Sequence, residues 1–481
     1  MKRYFYPAFI SLLAIALFSC GQSEEDRAVN ALVRESVELV KLAEREWERK
    51  ATEAEYLERE ALSRLEQALL LYPVSPRAVR LQEGKTKIGP YTFSELAKKV
   101  VTQDRARTFS ADQASRDSLA DVLDLAGDLA GRPGSPYFQA GVLSRVAGAY
   151  FQRGENSLAD EFFSRALLAA QSVEAPYYKV LALCELAGQY ALVNREEAAG
   201  ELLLEARELA EEIGYDFFYS GAAAMIASRY LENDQEEEAW EIIETIEEPY
   251  YRAWILLRAA GGLIKAGKTV DALNRLKQAR LAAELVEDPD FRVEVITDCA
   301  GRSAQLGGEG AGELLEEAYR QSLALPDPVP RIGALARIAS WLGKLDHRDE
   351  AEKILQEVTA EAGEIENNLF RDLVLMEIAQ CRSGLGDYEQ VENIVGLIEA
   401  PRFRGLTLAA LSQHCLDNGD KEAAVKFAGQ AQKATLPVVN PHFRADILIR
   451  ISGCISPRLP VPSRPEALPP PAEEALTAPT P

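Results

Sequence analysis

The chain has 481 residues, of which 27% are charged and 47% hydrophobic, and its formal net charge is −23. So acidic a polypeptide is repelled by nucleic acid and by anionic lipid headgroups, which excludes both as partners held by general electrostatics. Beyond Cys20 the cysteines are Cys184, Cys299, Cys381, Cys415 and Cys454, an odd and widely spaced set without a CxxC, read as small core residues rather than disulfides or metal ligands.

At the N-terminus, residues 1–19 read as a secretory signal. Lys2 and Arg3 precede an apolar run from Tyr4 to Phe18, too short for a membrane span, that ends in Leu17-Phe18-Ser19-Cys20. A small residue ahead of a cysteine resembles the lipobox of bacterial lipoproteins, although Phe18 is bulkier than that pattern prefers. The resemblance implies cleavage before Cys20, acylation of its thiol and new amino group (palmitate among the acyl chains), and firm anchoring, since several chains hold a membrane where one does so marginally. Gly21-Gln22-Ser23 places no aspartate beside the cysteine, which by analogy with lipoprotein sorting favours the outer membrane facing the periplasm. The alternative is an ordinary signal peptide followed by a chance cysteine. Loss of Lys2 and Arg3 takes the formal charge from −23 to −25.

Residues 20–83 form an N-terminal helical region, with a long charged helix expected over 24–56. Residues 84–135 are a connector whose stretch 85–117 is hard to assign. Its end, 119–129, reads as a helix closing against the segment that follows.

From residue 136 the sequence repeats. Ala147, Tyr150, Gly154, Ala159, Phe163 and Ala166 stand at offsets 0, 3, 7, 12, 16 and 19, and the same offsets give Ala187, Tyr190, Asn194, Ala199, Leu203 and Ala206. Ala227 and Ala260 begin two further matching sets, and Ala300, Ala339, Ala379 and Ser412 begin looser ones. Offsets of three, four and seven share one helix face, and a glycine at the seventh ends a helix, so each unit is an antiparallel helical hairpin. The Gly307-Gly308-Glu309-Gly310 turn, followed by Ala311 one residue early, is expected to be irregular. Steps between anchors are 40, 40, 33, 40, 39, 40 and 33, and anchors four units apart differ by 153, 152, 152 and 152, the mark of a duplicated four-unit block. Pro249 and Pro401 cut the second helix short in the two 33-residue units. A last first helix near 447–455 lacks a following partner and is expected to cap the stack.

This spacing resembles the tetratricopeptide repeat. The resemblance implies an all-α solenoid of about eight hairpins plus a terminal helix over 136–455, and Ala61, Leu65, Ala68 and Pro73 in the N-terminal region resemble a repeat's second helix. It also implies that first helices line a concave groove, which would place Trp254, Leu257, Gly261 and Ile264 there, with Leu181, Cys184, Gly188 and Ala191 two units earlier. Such a face is small, apolar and nearly uncharged. It suits an amphipathic or extended apolar segment unless neighbouring helices cover it.

Eight residues before successive anchors stand Arg252, Arg292, Arg331, Arg371, Arg404 and Arg444, with Lys179 in the second unit. A cation at a helix start opposes the helix dipole, so something else favours it. The row either grips a partner's carboxylates or pairs internally with acids that end the previous helix, such as Glu247, Glu287, Asp327 or Glu399. A recurrent Pro-aromatic lead, as in Pro176-Tyr177-Tyr178 and Pro249-Tyr250-Tyr251, is expected to staple each helix start to its neighbour.

No catalytic constellation or metal set is found. GxSxG, HExxH and a phosphate loop are absent, and His347, His414 and His442 are not spaced as ligands. Residues 456–481 hold nine of the 24 prolines and read as an extended spacer or a ligand for a proline-binding groove. The sequence thus points to a lipid-anchored, non-enzymatic scaffold for protein partners in the bacterial envelope, in envelope or secretion-complex assembly, with no cofactor, nucleic acid or small-molecule substrate. The alternatives are an envelope enzyme with its site in the 85–117 stretch, and a surface-exposed adhesion protein.

Overall fold

A computed structural model describes residues 25–46, 84–96, 122–132, 135–214, 216–308, 310–438 and 440–455, with scattered helical positions between 54 and 100. Cys20, the signal segment and the proline-rich tail lie outside the described residues. Within them the protein is all-α. No helix among them is long and apolar enough to cross a membrane.

The N-terminal part has its own core. Helix α1 (Glu25–Glu46) buries Val29 and Val40 with Ala61, Leu62, Leu65, Ala68, Leu81, Ile88 and Leu96. Ala61, Leu65 and Ala68, the residues that resemble a repeat's second helix, are helical and fully buried. Ser36 donates to the Ala61 carbonyl, and Glu58 pairs with Lys99 at 2.5 Å.

Next comes α2 (Val122–Ala130), and then eight hairpins: α3 (Pro136–Gln152) with α4 (Asn156–Gln171), α5 (Pro176–Leu192) with α6 (Glu196–Ala210), α7 (Asp216–Glu232) with α8 (Glu236–Thr245), α9 (Pro249–Lys265) with α10 (Thr269–Ala283), α11 (Pro289–Gln305) with α12 (Ala311–Leu323), α13 (Pro328–Lys344) with α14 (Arg348–Gly363), α15 (Asn368–Gly384) with α16 (Tyr388–Leu397), and α17 (Pro401–Asp417) with α18 (Lys421–Ala434). The last helix is α19 (Pro441–Ile455). Odd-numbered helices from α3 onward are first helices, and seven of these nine begin on proline, whose missing N–H costs nothing at N1.

Every hairpin turns the same way. The residue seven after the anchor is left-handed in all eight: Gly154, Asn194, Asp234, Gly267, Gly307, Asp346, Gly386 and Gly419 have φ between 60° and 84°. The next amide closes a six-residue ring, as in Glu155 N–H to the Tyr150 carbonyl (3.0 Å) and Asp420 N–H to the Cys415 carbonyl (2.9 Å). The turn after α11 is irregular as expected, since Gly310 (φ 70°) adds a second left-handed residue ahead of Ala311. Gly154→Ala is expected to cost roughly 1–2 kcal/mol because a Cβ is strained at positive φ. Gly200→Ala, in the middle of α6 where a Cβ meets nothing within 4 Å, is expected to gain about 0.5–1 kcal/mol. Chemical denaturation of both variants measures this; losses of equal sign would refute the assignment of the turn.

The four-unit duplication is visible in three dimensions. Helices α8 and α16, four units apart, are ten residues long, each followed closely by the proline of the next helix. The early end draws the following amides over the start of the inner helix, and there the sequence supplies an acceptor. Ser220 accepts from the Glu248 amide (3.4 Å), and buried Asp372 accepts from the Glu399 and Ala400 amides (3.1 and 2.6 Å).

Each first helix packs on the next: α3 on α5, α5 on α7, and so on to α17 on α19. The series does not end there. Helix α19 packs on α3 and, most extensively, on α2. The expectation of a helix closing against the array from the connector is met, and its partner is the terminal helix, which is therefore paired rather than a free cap. Leu123, Ala126 and Ala130 stand 13, 10 and 6 residues before Pro136, the same distances at which Phe163, Ala166 and Ala170 precede Pro176. All of these are buried. Helix α2 is thus the second helix of a ninth hairpin whose first helix is α19, and the array closes into a ring.

The seam is well made. Phe138 and Phe443 meet edge-on at 5.4 Å, Arg145 pairs with Asp446 at 3.1 Å, a His442 ring nitrogen lies 3.1 Å from the Arg132 carbonyl, and the Tyr150 hydroxyl donates to Asp124 at 2.9 Å. One core cluster runs from Val122 to Ile451. Nine inner helices spaced about 9 Å apart close at a radius of about 13 Å, and subtracting a helix radius of about 5–6 Å leaves an opening roughly 15 Å wide.

Candidate functional site: the wall of the ring

The anchor residues face the outer helices, so the opposite face of each inner helix looks toward the axis. At 100° per residue the axis-facing positions are the third, sixth, tenth, thirteenth, fourteenth and seventeenth of each helix. The tenth positions read Arg145, Glu185, Met225, Arg258, Asp298, Arg337, Glu377, Ala410 and Arg450, and all nine are half-buried. The position just before them, Ser144, Cys184, Ala224, Leu257, Thr297, Ala336, Met376, Ala409 and Ile449, is buried in every unit.

This differs from the groove expected from sequence. Leu257 and Cys184 are packed between neighbouring inner helices, because side-by-side closure of the ring covers that flank, and Leu181, at an axis-facing position, is buried as well. Trp254 is on the wall, half-buried beneath Arg258, whose guanidinium lies 5.3 Å from its ring centre. Ile264 is half-buried near the end of α9. The wall is charged rather than nearly uncharged.

Its charges are cross-braced. Arg145 pairs with Glu185 on one side and Asp446 on the other, and Asp446 also takes Arg450 (3.2 Å). Arg229 and Arg258 share Glu232, each at 2.6 Å. Arg337 bridges Glu294 (2.8 Å) and Glu377 (2.9 Å) from the two neighbouring helices. Burial would raise Glu232 and Asp446, yet the guanidiniums around them outweigh it and hold both carboxyls below their ordinary range. At Glu294 burial wins over Arg337 and the carboxyl is raised.

Large wall residues lie in notches on the helix before. Gln189 lies against Gly148, Arg229 against Gly188, Arg302 against Gly261 and Trp341 against Gly301, in each case the fourteenth position of one helix over the thirteenth of the preceding one. A side chain at Gly301 would strike the Trp341 indole, whose Nε1 donates to Asp298 at 3.2 Å.

One mouth of the ring is aromatic. Phe443, Phe138, Tyr137, Tyr178, Tyr177, Phe218, Phe217, Tyr251, Tyr250 and Phe291 form an unbroken chain of ring contacts, with centroids 4.5–5.9 Å apart. Arg402 extends the arc over Phe443 at 3.7 Å. These are the aromatics of the recurrent lead, and they join the starts of adjacent inner helices.

The arginine row sits behind this mouth. Arg292, Arg331 and Arg404 donate to the carbonyls of Val286, Leu325 and Ile398, each six residues back in the linker that precedes the helix. Arg331 also pairs with Glu361, and Arg371 with Glu399 at 2.7 Å. These acids end the second helix of the arginine's own hairpin, not that of the previous one as expected from sequence. Glu399 serves Arg371 rather than Arg404, and Asp327 caps α13 through the Val329 amide instead of pairing with Arg331. Arg252 is exposed and Arg444 half-buried. At Arg292, Arg331 and Arg404 the guanidinium satisfies carbonyls left in the linker where an outer helix ends, which explains a cation at these helix starts.

No group of His, Cys, Asp and Glu among the described residues is arranged to hold a metal ion. Burial pushes the thiols of Cys184, Cys299 and Cys381 up to about 12, which keeps them protonated and unreactive.

No family model matches the chain, and no curated protein matches it. Among solved structures, a protein from Thermococcus onnurineus is 17% identical, with 74% of this chain and 98% of that one covered and a TM-score of 0.29. Aspartyl phosphate phosphatase F from Bacillus subtilis is 14% identical over 87% of this chain and 95% of that one, TM-score 0.28. A signal-transduction ATPase with a tetratricopeptide repeat sensor from Pyrococcus horikoshii is 14% identical over 85% and 72%, TM-score 0.28. Likeness at these scores adds nothing to what the helices themselves display.

Proposed function

We propose that the protein is a tetratricopeptide-like scaffold whose ring wall holds a segment of a protein partner, and that lipid on Cys20 tethers it to the outer membrane, facing the periplasm of a bacterial envelope. The wall supports this reading: its tenth-position row carries cations and anions braced by ion pairs to neighbouring helices, around an opening wide enough for one helix or an extended strand. A partner threaded there exchanges water for alternating cations and anions, a pattern that favours selectivity over bulk attraction. The aromatic mouth concentrates ring contacts at one end, which gives the bound segment a direction.

Photo-crosslinking in intact cells tests it. A photoreactive residue at Met225 or Ala410, on the wall, is expected to capture a discrete protein species, whereas one at Leu204, exposed on outer helix α6, captures none. Capture from Leu204 alone would place the partner on the outside and sink the reading. Replacing Cys20 by alanine is expected to release the protein from the membrane fraction without altering its ring.

A further inference from the structure

The outer helices are acidic, with two exceptions. Helix α8 carries five glutamates and no cation, and α6 five glutamates to one arginine. Helix α10 reverses the sign: Arg275, Lys277 and Arg280 stand against Asp271, and Lys268 precedes its start. Helix α18, four units on, is also basic, but its Lys426 pairs with Glu392 of α16 in the same ring. Neither Lys268 and Lys277 nor Glu237 and Glu244 of α8 form an ion pair among the described residues.

Helix geometry decides which of these groups face outward. Buried Ala272, Leu276 and Ala279 mark the inward side of α10, and Val270, Asn274, Lys277 and Leu281 lie opposite, within about 60° of one another. Val270, Leu281 and Leu285 are 72%, 48% and 70% exposed, and no other outer helix among the described residues exposes more than two large apolar side chains. Apolar side chains gathered on one exposed line, with cations beside them, mark a contact surface. On α8 the equivalent outward line is Glu237, Glu241 and Glu244, each 33 residues before its counterpart on α10. At the joint between the two helices Trp240 is half-buried, with the Arg275 guanidinium 3.8 Å from its ring centre.

We propose that this face joins two copies of the chain, each laying its basic α10 on the acidic α8 of the other. Both outer helices run antiparallel to the inner ones, and so parallel to each other. A two-fold axis along them, over the joint between α8 and α10, sets each α10 opposite the other copy's α8 in register. Lys277 of one copy then meets Glu244 of the other and Lys268 meets Glu237, twice over, while Val270, Leu281 and Leu285 leave water. Trp240 and Arg275 stand at the centre, residue types that dominate interface energies. One molecule holds both halves side by side, so a second copy satisfies both at once; an unrelated acidic partner would leave the glutamates of α8 unpaired. The net charge of −23 opposes approach at long range, but salt near 0.1 M screens it beyond about 10 Å and spares pairs in contact. The face lies outside the ring, so the dimer stands or falls independently of partner binding at the wall.

Sedimentation velocity of the full-length protein in density-matched detergent, at about 0.1 M salt, tests it. The wild type is expected to dimerise reversibly, and more weakly as salt rises toward about 1 M. Lys268→Glu with Lys277→Glu, and separately Glu237→Lys with Glu244→Lys, bring like charges into contact. Each double variant is expected to weaken the dimer at least roughly tenfold. Both leave the buried Ala239, Ile242, Ala272 and Leu276 in place, so the rings fold. Mixing the two variants restores opposite charges at both contacts, and the equimolar mixture is expected to form a heterodimer. A wild type that stays monomeric, a homodimer retained undiminished by either variant, or a mixture that fails to associate overturns the proposal. The first result would leave this face to a different partner, and the second would put the contact elsewhere.

Discussion

Leu123→Ala is expected to lower global stability by about 2–4 kcal/mol, the usual cost of truncating a fully buried leucine. The location of the loss matters more than its size. Leu123 belongs to α2, more than 300 residues from α19 in sequence, yet the two pack as one hairpin. Hydrogen exchange in the variant should therefore show reduced protection in α17, α18 and α19 as well as in α2 and α3. In an open solenoid each repeat leans only on its neighbours, so a lesion at the N-terminal end leaves the far end protected. Loss confined to α2 and α3 would show that the ninth hairpin contributes little to closure.

The second large effect is expected at Arg337. Its guanidinium holds Glu294 and Glu377 from adjacent helices, and the three side chains are 14–21% exposed. Arg337→Ala leaves two carboxylates facing each other with no cation between them. Breaking a buried pair in this way typically costs 3–5 kcal/mol, and water reaching these groups brings the expected loss to about 2–4 kcal/mol at pH 7.5. The pH dependence has a definite sign. Burial already raises Glu294 in the folded protein, and removing Arg337 raises it further. A carboxyl whose folded pKa exceeds its unfolded value contributes most at low pH and loses that contribution as pH rises through the folded pKa. The deficit of the variant relative to the wild type should thus shrink as pH falls from 7.5 toward 5. A deficit that stays constant over this range would show that the loss comes from packing rather than from unpaired charge.

Much of the fold is legible in the sequence because the repeat writes each physical need at a fixed place. The left-handed turn demands Gly, Asn or Asp, and one of these stands seven residues after every anchor. Close approach of paired helices demands small residues, and Ala159, Ala199, Ala239 and Ala272 supply them. The wall was harder to see. Arg258, Asp298, Arg337 and Glu377 recur at steps of 39 or 40, but a straight groove would turn their neighbour Leu257 toward the ligand. The choice between these adjacent positions depends on how the inner helices lean, which closure determines. The arginine row shows the other limit. Arg292, Arg331 and Arg404 find backbone carbonyls in irregular linkers, and a carbonyl leaves no signature in side-chain spacing. The split hairpin did leave one, in Leu123, Ala126 and Ala130, but a helix placed ahead of its own repeat escapes a search that begins at the first complete unit.

The contact between His442 and the Arg132 carbonyl spans 310 residues of chain. A polypeptide made from its N-terminus therefore holds α2 early and its partner last. Loop closure over such a separation is slow, because its entropy is spent before any contact rewards it. During that interval eight hairpins can form locally while the apolar faces of α2, α3 and α17 wait uncovered. The ring is then an open arc with two sticky ends. A segment lying inside the arc when α19 arrives becomes encircled by the last step of folding, without ever having to thread through a finished hole.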